Sequence, residues 1–125
     1  MASEEDRAFE TEREIGRINA FFPILTGLGN RWAASRPWEG RTIAVNMHLT
    51  TLTGALVREL TLGGGTFVIS AANPSTTHAG TVEMLRNMGL EVYSGGALED
   101  RYEQVRRHKP DLVVDVGFEL VEALL

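Results

Sequence analysis

The feature that most constrains this chain is an alternation of two hydrophobic periods. Apolar runs rich in β-formers at 42–47 (TIAVNM), 66–70 (TFVIS), 90–93 (LEVY) and 112–115 (LVVD) alternate with helical patterns near 51–62, 78–88, 97–108 and 118–125. The punctuation agrees, since Gly63, Gly64 and Gly65 follow the first of these helices, Gly89 the second and Pro110 the third. Strands that are apolar almost throughout must be buried on both faces, and only a parallel sheet with helices on each side does that. The expected fold class is therefore α/β: a doubly wound parallel sheet of about four strands, Rossmann- or flavodoxin-like and three-layered.

Residues 4–20 are highly charged, with Phe9, Ile15, Ile18 and Phe22 at spacings that can share a helix face. They predict an extra N-terminal amphipathic helix, with Pro23 as its end. Residues 24–40 predict a short helix and then a loop anchored by Trp32 and Trp38. At 125 residues the expectation is one domain over 1–125, with 1–40 packed on the rest as a helical segment.

Composition removes several function classes. The formal charge of −5 lacks the basic face that phosphate neutralisation requires, so nucleic acid is not an expected partner. The cluster Arg106, Arg107, His108 and Lys109 falls at the end of a predicted helix, where cations complement the dipole. No apolar run approaches the roughly 20 residues of a spanning helix, and the first residues are acidic where a signal peptide is basic. No membrane partner and a cytoplasmic location are expected. With no cysteine, disulfides and thiolate chemistry are excluded. His48, His78 and His108 are scattered without metal-site spacing, so no metal is expected. Neither Gly63–Gly65, which precede a strand, nor Gly27-Leu28-Gly29 forms the G-x-G-x-x-G turn of a dinucleotide site, so no cofactor is expected in this chain.

A doubly wound sheet binds ligands beyond the carboxyl ends of its strands. Here those ends are 47–51, 70–77 (SAANPSTT), 93–96 (YSGG) and 115–117, all rich in small or hydroxyl-bearing residues. Within them His48, Thr50 and Thr51 stand at one strand-to-helix junction, Asn73, Ser75 and Thr76 at the next, and Asp115 at the last. Each also has a plain structural reading: threonines and Asn-Pro segments cap helices and turns, and an acid after a strand caps the next helix.

The run RPWEGRTIAVNMHLTTLTGALVRELTLGGGTFVISAANPSTTHAG resembles the N-terminal region of adenosylhomocysteinases, with their H-M-T and C-N-x-x-S-T-Q-D-H-A-A motifs separated by strand and helix. Upstream, GRINAFFPILTGLGNRWAASRPWEG is similar to a second stretch of that family, and GLEVYSGGALEDRYEQVRRHKPDLVVDVGFEL parallels its G-I-P-V-Y and D-D-G-G-D-L segments. The resemblance implies the substrate-binding part of an enzyme that uses NAD to oxidise a ribose hydroxyl of S-adenosylhomocysteine before homocysteine leaves. It implies catalytic roles for His48 and Asp115, as a proton-transfer group and the first Asp of D-D-G-G-D-L. It implies nucleoside contacts from Thr50, Asn73, Ser75 and Thr76, with Thr51 beside them.

Several positions depart from the family. Leu52 stands where a Glu or Gln reads the adenine amino group, Val116 replaces the second Asp, Ala72 a cysteine, Phe118 a glycine and Glu119 the last Asp. The family's NAD domain lies beyond the resembling region. Three functions are thus expected in turn: a module binding a nucleoside-like or small polar ligand without hydrolysis of its own; a subunit whose NAD domain comes from a partner chain; or a non-binding paralogue in an assembly, with a homo-oligomer as a further partner.

Overall fold

The computed structural model describes residues 2–125. The expected alternation is present as β1 (Thr42–Met47), α3 (Thr51–Thr61), β2 (Thr66–Ala71), a single 3₁₀ turn (Pro74–Thr76), α4 (Ala79–Asn87), β3 (Glu91–Tyr93), α5 (Leu98–Arg107), β4 (Leu112–Asp115) and α6 (Glu119–Leu124). Two helices precede it, α1 (Glu4–Ala20) and α2 (Pro23–Ser35). All strand pairs are parallel and the sheet order is β3-β2-β1-β4. The chain steps outward from β1 to β3 and then returns across the sheet to β4. A right-handed crossover in each direction places α3 and α4 on one face and α5 and α6 on the other.

The two faces bury different sets of side chains. Ile43, Val45, Phe67, Ile69 and Val92 meet Ala55, Val57, Val82, Met84 and Leu85 of α3 and α4, with Ile15 of α1 joining the same cluster. On the opposite face Ala44 and Val68 pack on Tyr102, Val105 and Leu120 of α5 and α6. Alternate residues of β1 and β2 thus enter different cores, which is why both strands read as continuous apolar runs.

Two details of the N-terminal segment differ from the sequence reading. Pro23 opens α2 at its first position instead of merely ending α1. The missing N–H costs nothing there because first-turn donors have no helical partner. The buried face of α1 is Ala8, Thr11 and Ile15, while Phe9 is 61% exposed and Phe22 45%. Close packing on α4 selects the small side chains: a Cβ added to Gly80 would overlap the Thr11 hydroxyl and stand 3.0 Å from the Arg7 carbonyl. The Arg7 guanidinium ties the same helices together by pairing with Glu83 at 2.6 Å. Trp38 donates from Nε1 to the Leu60 carbonyl at 2.7 Å and lies 5.2 Å, centroid to centroid, from Trp32, so both tryptophans anchor the segment before β1.

Candidate functional site

The carboxyl ends of β1 and β2 carry most of the residues singled out above. Thr50 is the N-cap of α3 in extended conformation, its hydroxyl accepting from the Thr53 N–H, while the Thr53 hydroxyl accepts from the Thr50 N–H at 2.8 Å. The Thr53 hydroxyl contacts the His48 carbonyl at 2.6 Å, closing the β1–α3 connection on itself. Thr53 was not among the sequence candidates; its position three residues after an N-cap threonine is the signal that identifies it. Thr51 opens α3 and is half-buried.

The second connection is also built from its own side chains. Asn73 caps the 3₁₀ turn, its Oδ1 accepting from the Ser75 N–H at 2.9 Å and the Ser75 hydroxyl at 2.8 Å. The Asn73 carbonyl accepts from the hydroxyls of Thr76 and Thr77, at 3.0 and 2.9 Å. Backbone bonds join the two connections: His78 N–H donates to the Leu49 carbonyl and Ala72 N–H to that of Met47.

One side-chain bond bridges them. His48 Nδ1 lies 2.6 Å from the Thr76 hydroxyl oxygen. The Thr76 hydroxyl also lies 3.0 Å from the Asn73 carbonyl, so it stands between that carbonyl and the imidazole. The Nε2 of His48 has no protein partner among the described residues. A ring nitrogen free in this way can exchange a hydrogen bond or a proton with a ligand.

Asp115 is placed differently. Its Oδ1 accepts from Asn46 Nδ2 at 2.9 Å and its Oδ2 from the Val121 N–H at 3.0 Å, so the carboxylate caps α6 and faces the α5–α6 side of the sheet. It belongs to a network around Asn46, which is fully buried and also donates to the Tyr102 hydroxyl at 3.1 Å and accepts from Ser70 at 2.9 Å. The Tyr102 hydroxyl continues to Glu119 at 3.3 Å. Burial, followed by the charges of Glu119 and Asp115, raises the Tyr102 phenol above its ordinary value, while its bond with Asn46 opposes the rise. Tyr102 is accordingly a neutral member of this network. Among the candidates only His48 and Thr76 meet across the two connections; Thr50 is bonded to Thr53 within its own connection, Asn73 and Ser75 to each other, and Asp115 to Asn46 and Val121.

Two openings flank this edge. A cleft of about 510 Å³ with a mixed lining lies between the 3₁₀ turn, α4 and the start of α1, where Pro74, Ala79 and Val82 stand beside Glu5, Glu83 and Arg86. On the other side Leu52, 55% exposed, joins Ile18, Phe22, Leu25 and Leu56 around an apolar groove of about 230 Å³. No hydrogen-bonding side chain is present at Leu52 itself. The glycine turn after α3 is filled by its own neighbours, since a Cβ on Gly63 would overlap the Trp38 ring and one on Gly64 the Glu39 carboxylate.

Among known proteins, the chain is 32% identical over 117 residues to an S-inosyl-L-homocysteine hydrolase of Methanocaldococcus jannaschii, a match spanning 90% of the chain and 28% of that protein. It is 31% identical over 114 residues to an adenosylhomocysteinase of Archaeoglobus fulgidus, with 87% and 28% covered. To an adenosylhomocysteinase of Halobacterium salinarum it is 33% identical over 123 residues, with 90% and 29% covered. The matched stretch thus makes up between a quarter and a third of these curated relatives. No family model matches the chain.

Proposed function

Because the chain is a relative of the adenosylhomocysteinase family, matched over that family's N-terminal region, we propose that it binds a nucleoside-like or small polar ligand at the carboxyl ends of β1 and β2 and does not hydrolyse S-adenosylhomocysteine alone. The observation that carries this reading is the His48–Thr76 bond, which joins the two connections and leaves Nε2 free. Thr51 and the Asn73–Thr76 turn supply further polar groups around it. His48 would exchange a hydrogen bond or proton with a ligand hydroxyl.

The same residues argue against hydrolysis by this chain. Leu52 cannot satisfy an adenine amino group, and Val116, 40% exposed, cannot transfer a proton where the family resemblance expects an acid. Asp115 is engaged by Asn46 and Val121. The glycine turn is filled by Trp38 and Glu39, so NAD binding by this chain at that turn is not expected.

Calorimetric titration of the full chain tests the reading. Adenosine should bind weakly, because a buried amine without its partner costs about 1–3 kcal/mol, roughly ten- to hundredfold in affinity. Leu52→Glu should recover at least part of that factor, and His48→Ala should abolish it. Micromolar or tighter adenosine binding by the unmodified chain, or no response to either substitution, would sink the proposal.

A second reading, in which a partner chain completes an NAD-dependent enzyme, is favoured by the outer strand. Leu112 and Val114 of the edge strand β4 are 48% and 37% exposed, an apolar stripe on the α3–α4 face of the sheet that a partner packed on that face could cover. Restoration of hydrolysis on mixing with a separately produced NAD domain from a relative would support it. Failure of that mixture to turn over S-inosyl- or S-adenosylhomocysteine would refute it.

A further inference from the structure

Apart from the terminal Leu125, the most exposed large apolar side chains among the described residues are Phe21 and Ile24, at 81% each. Both stand at the corner where α1 passes into α2, and Phe22, also exposed, lies between them in the chain. Beside them runs the apolar groove lined by Ile18, Leu25, Leu52 and Leu56. No residue from Ile18 to Asn30 carries a charge. A monomer seldom leaves so large an apolar patch in water, and an interface core is the part of a surface most depleted of charge.

Gly27 gives a separate sign of an outside neighbour. It lies in the middle of α2, one turn after Ile24, is exposed, and has nothing within 4 Å of where a Cβ would stand. Glycine weakens a helix interior, so its presence there calls for a close approach. Gly29, Gly54 and Gly80 each have one, since a Cβ on any of them would overlap a side chain of a neighbouring helix. Gly27 has none within the chain.

We propose that this corner is an isologous interface with a second copy of the chain, in which Phe21 of each copy enters the groove of the other across a two-fold axis. The patch holds both halves of such a contact, a protruding ring and a hollow for it. An apolar cavity of about 150 Å³ holds a benzene ring, and this groove offers about 230 Å³. The lack of charge selects the same occupant. A two-fold axis sets like groups against one another, so ionised side chains at its centre would repel, whereas a partner recognised by charge would need them there. The area agrees: burying Phe21, Phe22, Ile24 and Leu52 from their present exposure removes roughly 500 Å² of apolar surface per copy. With about two-thirds of a homodimer interface apolar, that corresponds to about 750 Å² per copy, close to the size of a standard stable interface.

The test uses no ligand, so it stands or falls apart from the ligand reading. Sedimentation equilibrium of the full chain should show a monomer–dimer equilibrium with a dissociation constant that is micromolar or tighter. Phe21→Glu and Ile24→Glu should each weaken it at least about thirtyfold and, both side chains being exposed, leave the amide spectrum folded. Gly27→Leu should weaken it too, although it adds apolar surface; tighter association of this variant would show unspecific adhesion and overturn the proposal. Leu112→Glu on β4 should have no effect. Because the chain has no cysteine, Ile24→Cys provides one thiol per copy. A short bismaleimide should join two copies of that variant, but not of Glu103→Cys on α5. A chain that stays monomeric at near-millimolar concentration would refute the interface, as would a dimer that survives Phe21→Glu. Loss of the dimer in Leu112→Glu alone would also refute it and place the contact on β4.

Discussion

Phe118 adopts φ 67°, ψ 5°, the left-handed region, at the junction where the family resemblance expects a glycine. A Cβ in this conformation costs about 1 kcal/mol, and the ring recovers little because it is 59% exposed. Phe118→Gly should therefore raise stability by up to about 1 kcal/mol in urea denaturation, whereas Phe118→Ala, which keeps the Cβ, should not. Asn46 has the opposite balance. Its amide satisfies Ser70, Tyr102 and Asp115 from a site with no solvent access. Asn46→Leu should cost about 3 kcal/mol, since groups built to hydrogen-bond are left buried and unpaired. A loss below about 1 kcal/mol would mean that water replaces the amide. The sequence showed Asn46 only as a polar residue inside an apolar strand. Arg101 left a comparable trace, lying on the α5 face marked by Leu98, Tyr102 and Val105, where a charge is out of place.

Helix α1 depends on how closely it approaches its neighbour. Gly80 lets α4 meet α1 at Thr11 and Arg7, so Gly80→Ala must push the helices apart or distort one of them. The expected cost is about 1–3 kcal/mol, with the loss concentrated in α1 as read by limited proteolysis of the N-terminal segment. The start of α1 is held by a capping box in which Ser3 and Asp6 exchange bonds. The hydrogen bonds from the Ser3 side chain and backbone hold the Asp6 carboxyl below its ordinary value. A carboxyl depressed on folding stabilises the native state above its unfolded pKa, and that contribution disappears as pH falls through the lower folded value. The stability difference between the unmodified chain and Asp6→Asn should accordingly be present at neutral pH and vanish on acidification through the carboxylate range. A difference that persists in acid would place the effect in the neutral cap alone. The first helix was legible from its charge and spacing, but its buried face was not. Phe9 offered more apolar area than Ala8 or Thr11, and the neighbour's glycine decided otherwise.

Across the whole molecule the four strands are not equally protected. β1 and β2 are paired on both sides and covered by helices, whereas β4 has one paired edge and partly exposed residues throughout. Native-state hydrogen exchange should find the slowest amides in 43–46 and 67–70 and faster exchange along 112–115. Comparable protection in β4 would indicate that its edge is covered in solution. The sequence by itself determined the α/β class, the four βα units and the edge at which polar residues collect. Those follow from local period and punctuation, which depend on neighbours along the chain. Only the tertiary structure decided that β4 lies beside β1, that His48 meets Thr76 while Asp115 turns to α6, and that Arg101 is buried at the end of β2. Each depends on segments 28 to 69 residues apart, brought together by the sheet order. The orientation of a polar side chain follows from the partner it finds there, and no local pattern encodes that partner.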